Sequence, residues 1–243
     1  MKVRFVTLFM GVALLTIAAC TGKKSSEGTA CCADKTTCVK QSNNNNKSNC
    51  MVLKGYKKKY TNADYYTDGK FNEKVALEAY KDMFEFYGIP FTSFMEKEMW
   101  VIDFGLGDFE NVGMGGVFWV NDLEHNYFAH EIYLLPNQMI AEHAHVKTEH
   151  APKFESWMVQ KGMAYNFSTE GDATPNPPAL PESQKSMIKS KNFTVQEVGD
   201  ILHLKKIETF HFLFAGPDGA VISEWASYHD GKGLRFTNPK AKL

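Results

Sequence analysis

Side chains of the kind that bind metal ions are concentrated in a short stretch near the middle of the chain. His143 and His145 are separated by one residue in the run EHAHV, and Glu155 follows shortly after them. Residues two apart in a β-strand point to the same face of the sheet, so the two imidazoles would lie side by side. Two imidazoles and a carboxylate suit a divalent transition metal. An exposed histidine pair that binds nothing is the alternative.

A fourth ligand has to come from another part of the chain, and the run TFHFLFAG offers His211. On a strand, His211 would share its face with Leu213 and so enter an otherwise apolar lining. Together, His143, His145, Glu155 and His211 would leave one or two coordination positions for water or substrate. We predict a metal site from these four residues. The other histidines have no partner at ligand spacing and are predicted to be surface or hydrogen-bonded side chains: His125, His130, His150, His203 and His229.

The segments that must position these residues read mostly as short β-strands. Turn residues separate the following runs: MWVIDFG, GGVFWVN, HEIYLL, MIAEHAHV, SWMVQKGMAYNF, TVQEVGDILHL, FHFLFAG and AVISEWAS. Many short strands without intervening helices predict an all-β antiparallel sandwich or barrel. One segment has a convincing helical period. It begins after the N-cap Asn72, continues to Tyr87 and ends at Gly88 before Pro90.

The N-terminus is predicted to be a targeting signal rather than part of the fold. Residues 1–19 combine Lys2 and Arg4 with the 15-residue apolar run FVTLFMGVALLTIAA, which is typical of an export signal. The sequence IAAC, ending at Cys20, resembles a bacterial lipobox. This resemblance implies that Cys20 is lipidated and that the protein is exported and anchored to a bacterial membrane, facing the periplasm or the cell exterior. An ordinary cleavable signal with a chance cysteine is the alternative.

Residues 20–50 are predicted to be the lipidated cysteine and a disordered polar tether, because they contain too little apolar surface to fold. The other cysteines all lie in this tether, where an exported protein can form disulfides: Cys31, Cys32, Cys38 and Cys50. Residues 51–243 are predicted to form a single domain. The chain has 27 Lys and Arg against 28 Asp and Glu. It therefore lacks the basic excess of a nucleic-acid-binding protein.

The order of the ligand residues resembles the two motifs of the cupin superfamily: His143-x-His145, then Glu155, then Gly162, and finally His211 after a Gly-Asp turn. Within the cupins, the chain resembles the D-lyxose isomerase family. The matching segments are VNDLEHNYFAHEIYLLPNQ, EHAH, KFESW, GMAYNF, TPNP, GDILHL, HFLFAGPDGAVISEWAS and RFTNP. The resemblance implies a cupin double-stranded β-helix, or jelly-roll barrel, preceded by an N-terminal helical segment. Residues 55–100 match only in general character.

The family resemblance also implies an activity and a cofactor. It implies an aldose–ketose isomerase that acts on a free sugar, of the D-lyxose/D-xylulose or D-mannose/D-fructose type, through an enediolate. The implied cofactor is a divalent metal, first of all Mn²⁺, with Zn²⁺, Fe²⁺, Co²⁺ and Ni²⁺ as further candidates. The four predicted ligands match the metal ligands of the family. Partners are then a small sugar and, through Cys20, the membrane.

Two further residues match the acid–base groups of the family. Lys153 corresponds to the lysine two places before the ligand glutamate, and Glu224 to the glutamate after the last ligand histidine. A carboxylate can take a proton from one sugar carbon and return it to the next, while an ammonium can protonate or polarise the sugar oxygen. From the residues alone, Lys153 can equally be a solvated lysine at a strand end. Glu224 lies between Ile222 and Ala226 on its strand face and is costly to bury unless it is paired.

Two other classes of function remain open at this stage. Three histidines and a glutamate also serve cupin dioxygenases, which take up dioxygen. A non-catalytic sugar-binding cupin lipoprotein would bind sugar without turnover, and it would have no need of Lys153 and Glu224. The chain also departs from the family, which often has arginines where this chain has Ala144 and, on the strand after the glutamate, Met158 and Gln160.

Two features of the sequence bear on the surroundings of the site. In TFHFLF, three phenylalanines lie opposite His211 and need a cover: Phe210, Phe212 and Phe214. We expect the predicted helix to cover them, with a second subunit, and hence a homodimer, as the alternative. The long proline-rich loop at 168–186 is expected at a pocket mouth or on the surface.

Overall fold

The computed structural model of the chain describes residues 38–40, 50–52 and 55–243. The predicted export signal and the lipidation site at Cys20 lie outside the described residues, and both stay predictions from the sequence. No helix in the described ranges is both long enough and apolar enough to cross a bilayer.

The chain divides into two units, Met1–Leu53 and Lys54–Leu243. In the first unit, β1 (Cys38–Lys40) pairs with β2 (Cys50–Val52) in an antiparallel arrangement. These two strands lie within or next to the segment predicted to be a tether. The second unit, the body, carries the predicted metal-binding and acid–base residues.

The body begins with short helical elements and then becomes almost entirely β-structure. Its helices are α1 (Asn62–Tyr65), α2 (Glu73–Tyr87), α3 (Ser93–Glu98) and α4 (Glu182–Lys185), with a 3₁₀ turn at Gly231–Gly233. Its strands are β3 (Tyr66–Thr67), β4 (Lys70–Phe71), β5 (Trp100–Ile102), β6 (Met114–Asp122), β7 (Tyr127–Leu134), β8 (His143–His145), β9 (Glu155–Ser168), β10 (Asn192–Gln196), β11 (Ile201–His203), β12 (His211–Ala226) and β13 (Leu234–Phe236). The predicted all-β class with an N-terminal helical segment is confirmed.

Three of the predicted β-runs are joined or divided in the structure. FHFLFAG and AVISEWAS join into the single strand β12, whose pairing with β9 shifts register between Ala215 and Ala220. TVQEVGDILHL instead divides into β10 and β11, because Asp200 accepts a hydrogen bond from the Glu197 backbone and closes a turn there. The turn residues between FHFLFAG and AVISEWAS do not end the strand, because the residues on both sides of them pair with the same long strand, β9.

Nine strands of the body form one curled antiparallel sheet in the order β10-β9-β12-β7-β6-β5, with β11 paired to β9 and β8 paired to both β12 and β13. At its centre, β12 lies between β7 and β9. Glu224 pairs with His130 on one side and with Trp157 on the other. Because directly paired residues project to the same face, these three side chains form one row across the inner face of the sheet.

Helix α2 has the limits that the sequence predicts. The Asn72 side chain accepts a hydrogen bond from the backbone N–H of Val75, and Gly88 ends the helix in the left-handed conformation. Its buried residues Tyr80 and Phe84 share a core cluster with Tyr133 of β7. Tyr133 follows the inward-facing Ile132, so the helix covers the outer face of the sheet.

The phenylalanines opposite His211 are covered differently from our expectation. Phe212 and Phe214 are buried in the second core cluster of the body, which does not include α2. Phe212 stacks on Phe167 with ring centroids 4.5 Å apart. Leu180 and Ile188 of the connection between β9 and β10 pack against the same cluster. The expectation of helical cover was therefore wrong for these two rings, because residues of the connection between β9 and β10, and not of α2, pack against their cluster.

Two glycines allow the close approach of the β9 and β12 backbones, and we expect Gly162→Ala to destabilise the protein strongly. Gly162 has φ +69°, and a Cβ there would collide with the carbonyl oxygen of Gly219. The left-handed backbone costs an alanine about 1–2 kcal/mol, and the overpacking adds about 1–3 kcal/mol. Urea unfolding of the variant and the parent protein measures the sum.

Gly107→Ala is the matched control, because Gly107 has φ +70° and a Cβ at this position would have no atom within 4 Å. It carries the backbone strain without the collision. The difference between the two variants therefore isolates the close approach at Gly162. Equal losses of unfolding free energy would show that the backbones separate to accept the methyl group.

Candidate active site

Three histidines meet at one point on the inner face of the sheet. His143 and His145 project from β8, and His211 at the start of β12 is the direct backbone partner of His143. One ring nitrogen of each lies within 4.8 Å of the others. The carboxylate of Glu155 reaches the group, with Oε1 3.2 Å from His145 Nε2 and Oε2 3.0 Å from His211 Nε2. The structure thus brings the four predicted ligands together.

The donors of this cluster fit a divalent metal ion. Nδ1 of His143 lies 2.9 Å from the backbone oxygen of Ala141, and Nδ1 of His211 lies 2.9 Å from that of Thr209. A carbonyl can only accept, so each Nδ1 carries the proton and leaves Nε2 as the free ligand atom. Glu155 Oε2 is fully buried without a hydrogen bond. A buried carboxylate oxygen among imidazole nitrogens calls for a cation.

The pKa values of the cluster residues are shifted by burial and by their charged neighbours. Burial alone would raise the pKa of Glu155, but the ammonium of Lys153 and the neighbouring imidazoles hold it well below its usual range. Burial lowers the pKa of His143 and of His145, which keeps both imidazoles neutral. Burial would also lower the pKa of His211, but the Glu155 carboxylate outweighs it and raises that pKa.

The two predicted acid–base residues adjoin this cluster. Lys153 Nζ lies 2.9 Å from Glu155 Oε1 and also makes an ion pair with Glu224 Oε1. Trp157 Nε1 donates a hydrogen bond of 3.0 Å to Glu224 Oε2. Lys153, Glu155 and Glu224 are each no more than 5% exposed. The solvated position considered for Lys153 is therefore excluded, and the lysine links the metal ligand to the second carboxylate.

Glu224 is held in its ionised form by its surroundings. Burial alone would raise its pKa, but the charge of Lys153 and then the His130 imidazole lower the pKa to about 2. Nε2 of His130 lies 3.1 Å from Glu224 Oε2. A carboxylate with one oxygen on an ammonium and the other on an indole N–H is fixed in orientation, as a proton carrier needs to be.

One cavity of about 290 Å³ is lined by His143, His145, Glu155, Lys153, Glu224 and His130. His211 and Trp157 do not line it. This volume is at the small end of the range of ligand sites, roughly 300–1,000 Å³. The remaining walls are apolar or aromatic apart from His229. They comprise Trp100, Ile102, Phe104, Met114, Phe118, Phe128, Ile132, Ile140, Leu234, Phe236 and Leu243. The proline-rich loop at 168–186 does not line this cavity, but its residues Ser168 and Glu170 border a second, smaller pocket beside Trp157 and His211.

Sequence reasoning gave no site role to His130 or His229, although both line the cavity. His130 alternates with the inward-facing Phe128 and Ile132 on β7, which is the same signal that identified His211. His229 follows the end of β12 in an irregular segment, where no periodicity indicates its direction. Of the histidines left outside the site, His125 and His203 are exposed and hydrogen-bonded to Asp122 and Ser156.

The departures from the family pattern lie away from the cavity. Met158 and Gln160 alternate on β9 with the inward-facing Trp157 and Val159, so they project from the outer face, where Gln160 donates to Ser223 Oγ. Ala144 is completely buried but does not border the cavity. The missing arginines therefore remove no group from the cavity wall.

No protein-family model matches the chain. A D-lyxose/D-mannose isomerase from Thermosediminibacter oceani is 33% identical over 149 residues, which cover 60% of this chain and 81% of the relative. The chain belongs to the D-lyxose isomerase family. A second member, a D-lyxose ketol-isomerase from Thermofilum sp., is 30% identical over 171 residues, covering 70% of this chain and 93% of that protein. The resemblance inferred from the motifs is confirmed.

Solved structures agree with the fold of the D-lyxose isomerase family. L-ribose isomerase from Acinetobacter sp. DL28, solved with L-ribose, superposes with a TM-score of 0.55 at 17% identity, covering 69% of this chain and 92% of that one. L-ribose isomerase from Cellulomonas parahominis gives 0.53 at 16% identity, with 69% and 92% covered. At these identities the likeness shows the fold alone, and the predicted cupin double-stranded β-helix is confirmed.

Proposed function

We propose that the protein is a metal-dependent aldose–ketose isomerase that acts on a free monosaccharide of the D-lyxose/D-xylulose or D-mannose/D-fructose type. One observation carries the proposal: the buried Lys153–Glu224 pair shares a small cavity with the His143, His145 and Glu155 side chains. A protein that only bound sugar would have no need of a buried acid–base pair, whose two charges are costly to desolvate. The family membership supports the same reaction class.

Isomerisation moves one proton between neighbouring carbons and one between neighbouring oxygens, with no net gain or loss. In the proposed reaction, Glu224 takes the proton from C2 of the aldose and returns it to C1. The hydroxyl proton on O2 passes to O1, so that the carbonyl moves from C1 to C2. The Lys153 ammonium, already placed by two carboxylates, donates a hydrogen bond to the sugar oxygen that becomes negative in the enediolate.

The four-residue cluster would hold a divalent ion, with Mn²⁺ as our first candidate. When bound, such an ion stabilises negative charge on the sugar oxygens. Glu155 and the three imidazoles would hold it next to the acid–base pair, because Lys153 contacts both Glu155 and Glu224. The apolar walls would exclude water from the reacting carbons and strengthen these electrostatic contacts.

Metal removal is expected to abolish isomerisation reversibly. Purified protein is stripped with a chelator, dialysed and assayed for ketose formation from D-lyxose, D-mannose and L-ribose. The stripped protein should be inactive, and Mn²⁺, Co²⁺, Ni²⁺, Zn²⁺ or Fe²⁺ added singly should restore turnover to different extents. Elemental analysis of the same samples gives the metal bound per chain.

Three results would contradict the proposal in different ways. Full activity of the stripped protein would exclude a role for the metal. Metal and sugar binding without ketose formation would favour a non-catalytic sugar-binding cupin. Dioxygen uptake with a redox-active metal, in place of isomerisation, would favour a cupin dioxygenase.

A further inference from the structure

Two histidines outside the metal cluster flank the same two phenylalanine rings of the cavity wall. The Phe128 ring centroid lies 4.8 Å from that of His130 and 5.3 Å from that of His229. The Phe118 centroid lies 5.5 Å from His130 and 5.9 Å from His229. We call these four residues the aromatic–imidazole cluster. Neither histidine belongs to the group of metal-ligating nitrogens.

Ring nitrogens of this cluster are buried without hydrogen bonds. Both nitrogens of His130 and Nδ1 of His229 have no hydrogen-bond partner, although His130 Nε2 lies close to the Glu224 carboxylate. A buried polar group left unpaired is costly, so native proteins rarely keep one without a reason. Nε2 of His229 is not among these buried atoms, and its ring lines the cavity, so this nitrogen can bond to a polar ligand there.

His229 is also fixed in place before any ligand binds. Its backbone N–H donates a hydrogen bond to Asn121 Oδ1, and its carbonyl oxygen accepts one from Asn121 Nδ2. Both hydrogen bonds are 3.0 Å long. Its ring is close to parallel with Phe128, at 29°, and meets His145 edge-on with centroids 5.6 Å apart. The side chain therefore holds Nε2 at a defined point of the wall, although it lies in an irregular segment.

The rest of the wall offers little to a hydroxyl group. Among the described residues that line the cavity, hydrogen-bonding side chains other than the metal ligands, Lys153 and Glu224 are limited to His130, His229 and Trp100. A sugar bound with its reacting carbons at Glu224 still has two or more hydroxyls to bury. Each needs a partner, because an unpaired hydroxyl in an apolar wall is costly.

We propose that His229 binds a hydroxyl group on a sugar carbon that does not react, and that His229 is a specificity-determining residue. A neutral imidazole offers one donor and one acceptor, which match the acceptor and donor of a hydroxyl. This inference rests on the proposed function, since it takes a free sugar as the ligand.

We expect His229→Phe to raise KM about 10-fold while kcat changes less than about twofold. Phenylalanine has a similar shape for the aromatic surroundings but removes both nitrogens, and a neutral hydrogen bond contributes about 1 kcal/mol or slightly more. The metal-loaded, full-length protein is assayed with whichever of D-lyxose, D-mannose and L-ribose the parent converts best. His229→Gln, which keeps a donor and an acceptor, should recover part of the loss. His125→Phe, on the exposed turn after β6, is the control and should leave both constants unchanged.

Deoxy analogues separate binding of a hydroxyl from a general structural effect. The monodeoxy forms of the same sugar, each lacking one hydroxyl on a non-reacting carbon, are assayed with parent and variant. One analogue should lose about 10-fold in kcat/KM with the parent but almost nothing further with His229→Phe. Equal loss by the variant on every analogue, or a fall in kcat with KM unchanged, would overturn the inference.

The same samples distinguish failure of this inference from failure of the proposed function. If the parent protein converts none of the sugars, the isomerase proposal fails, and calorimetric binding of D-lyxose to the metal-loaded parent and to His229→Phe decides the inference. Weaker binding by the variant would support His229 as a sugar-binding residue. Equal binding by both proteins, or no binding by either, would overturn it.

Discussion

Glu224→Gln is expected to lower kcat by about a thousandfold, within the range of roughly 10²–10⁴ that a positioned acid–base group contributes. Glutamine keeps the shape of the side chain and an oxygen that can accept from Trp157 Nε1, but it cannot take a proton from carbon. Lys153 retains Glu155 as its ion-pair partner. The four metal ligands are unchanged, so metal content by elemental analysis should stay at the parent value while ketose formation falls.

Glu131→Gln is the matched control for this variant. Glu131 is a carboxylate on the neighbouring strand β7 whose burial raises its pKa, and it accepts a hydrogen bond from Ser223 on the outer face of the sheet. The same chemical change there should leave kcat within about twofold of the parent. Activity above a tenth of the parent value in Glu224→Gln would show that another group carries the proton. Loss of bound metal in Glu224→Gln would mean that the fall in activity follows from the missing metal and not from the missing proton carrier.

The proximity of the four proposed metal ligands could largely be predicted from the sequence, because most of it depends on local spacing. His143 and His145 share a strand face through the two-residue period of a β-strand, and the structure places both rings in the same cluster, with centroids 5.1 Å apart. Lys153 and Glu155 follow the same rule, and their charged atoms lie 2.9 Å apart. His211 was chosen because on a strand it would enter an otherwise apolar face, and the family motifs agreed with that choice. Each of these residues is recognisable from its own neighbours in the chain.

The surroundings of Glu224 could not be predicted in this way, because they depend on which strands lie next to each other. His130 and Trp157 reach Glu224 only because β7 and β9 pair with β12 in one particular register. A shift by one residue would turn His130 away from the cavity. Nothing in the run HEIYLL fixes that register, so His130 was assigned to ordinary hydrogen bonding.

Irregular segments account for the other differences between prediction and structure. The loop before the 3₁₀ turn carries His229, and the anchoring Asn121 comes from the distant strand β6. The connection between β9 and β10 packs against the core cluster of two of the phenylalanines opposite His211, and its placement is set by Glu142, which accepts hydrogen bonds from the backbones of Lys189 and Ser190. These are long-range contacts between polar side chains and loop backbone. Periodicity carries no information about them.

His211→Gln is expected to cost the protein its metal and, with it, its activity. His211 comes from a different strand than the other imidazoles and closes the cluster around Glu155 Oε2. Removing residues that merely support a ligand typically weakens metal affinity by about 10–100-fold, so loss of a ligand nitrogen should weaken it by at least 100-fold. Elemental analysis after dialysis and the assay of ketose formation should then fall together.

Metal-dependent stability provides the second measurement for this variant. At a metal concentration 100 times its dissociation constant for the parent, binding stabilises the parent by about 2.7 kcal/mol, whereas 100-fold weaker binding stabilises the variant by only about 0.4 kcal/mol. The metal-induced rise in Tm should therefore almost disappear. His203→Gln is the matched control, because His203 is exposed on β11 and paired with Ser156. A normal metal-induced rise in Tm for His211→Gln would remove His211 from the ligand set and leave the other three residues to hold the ion.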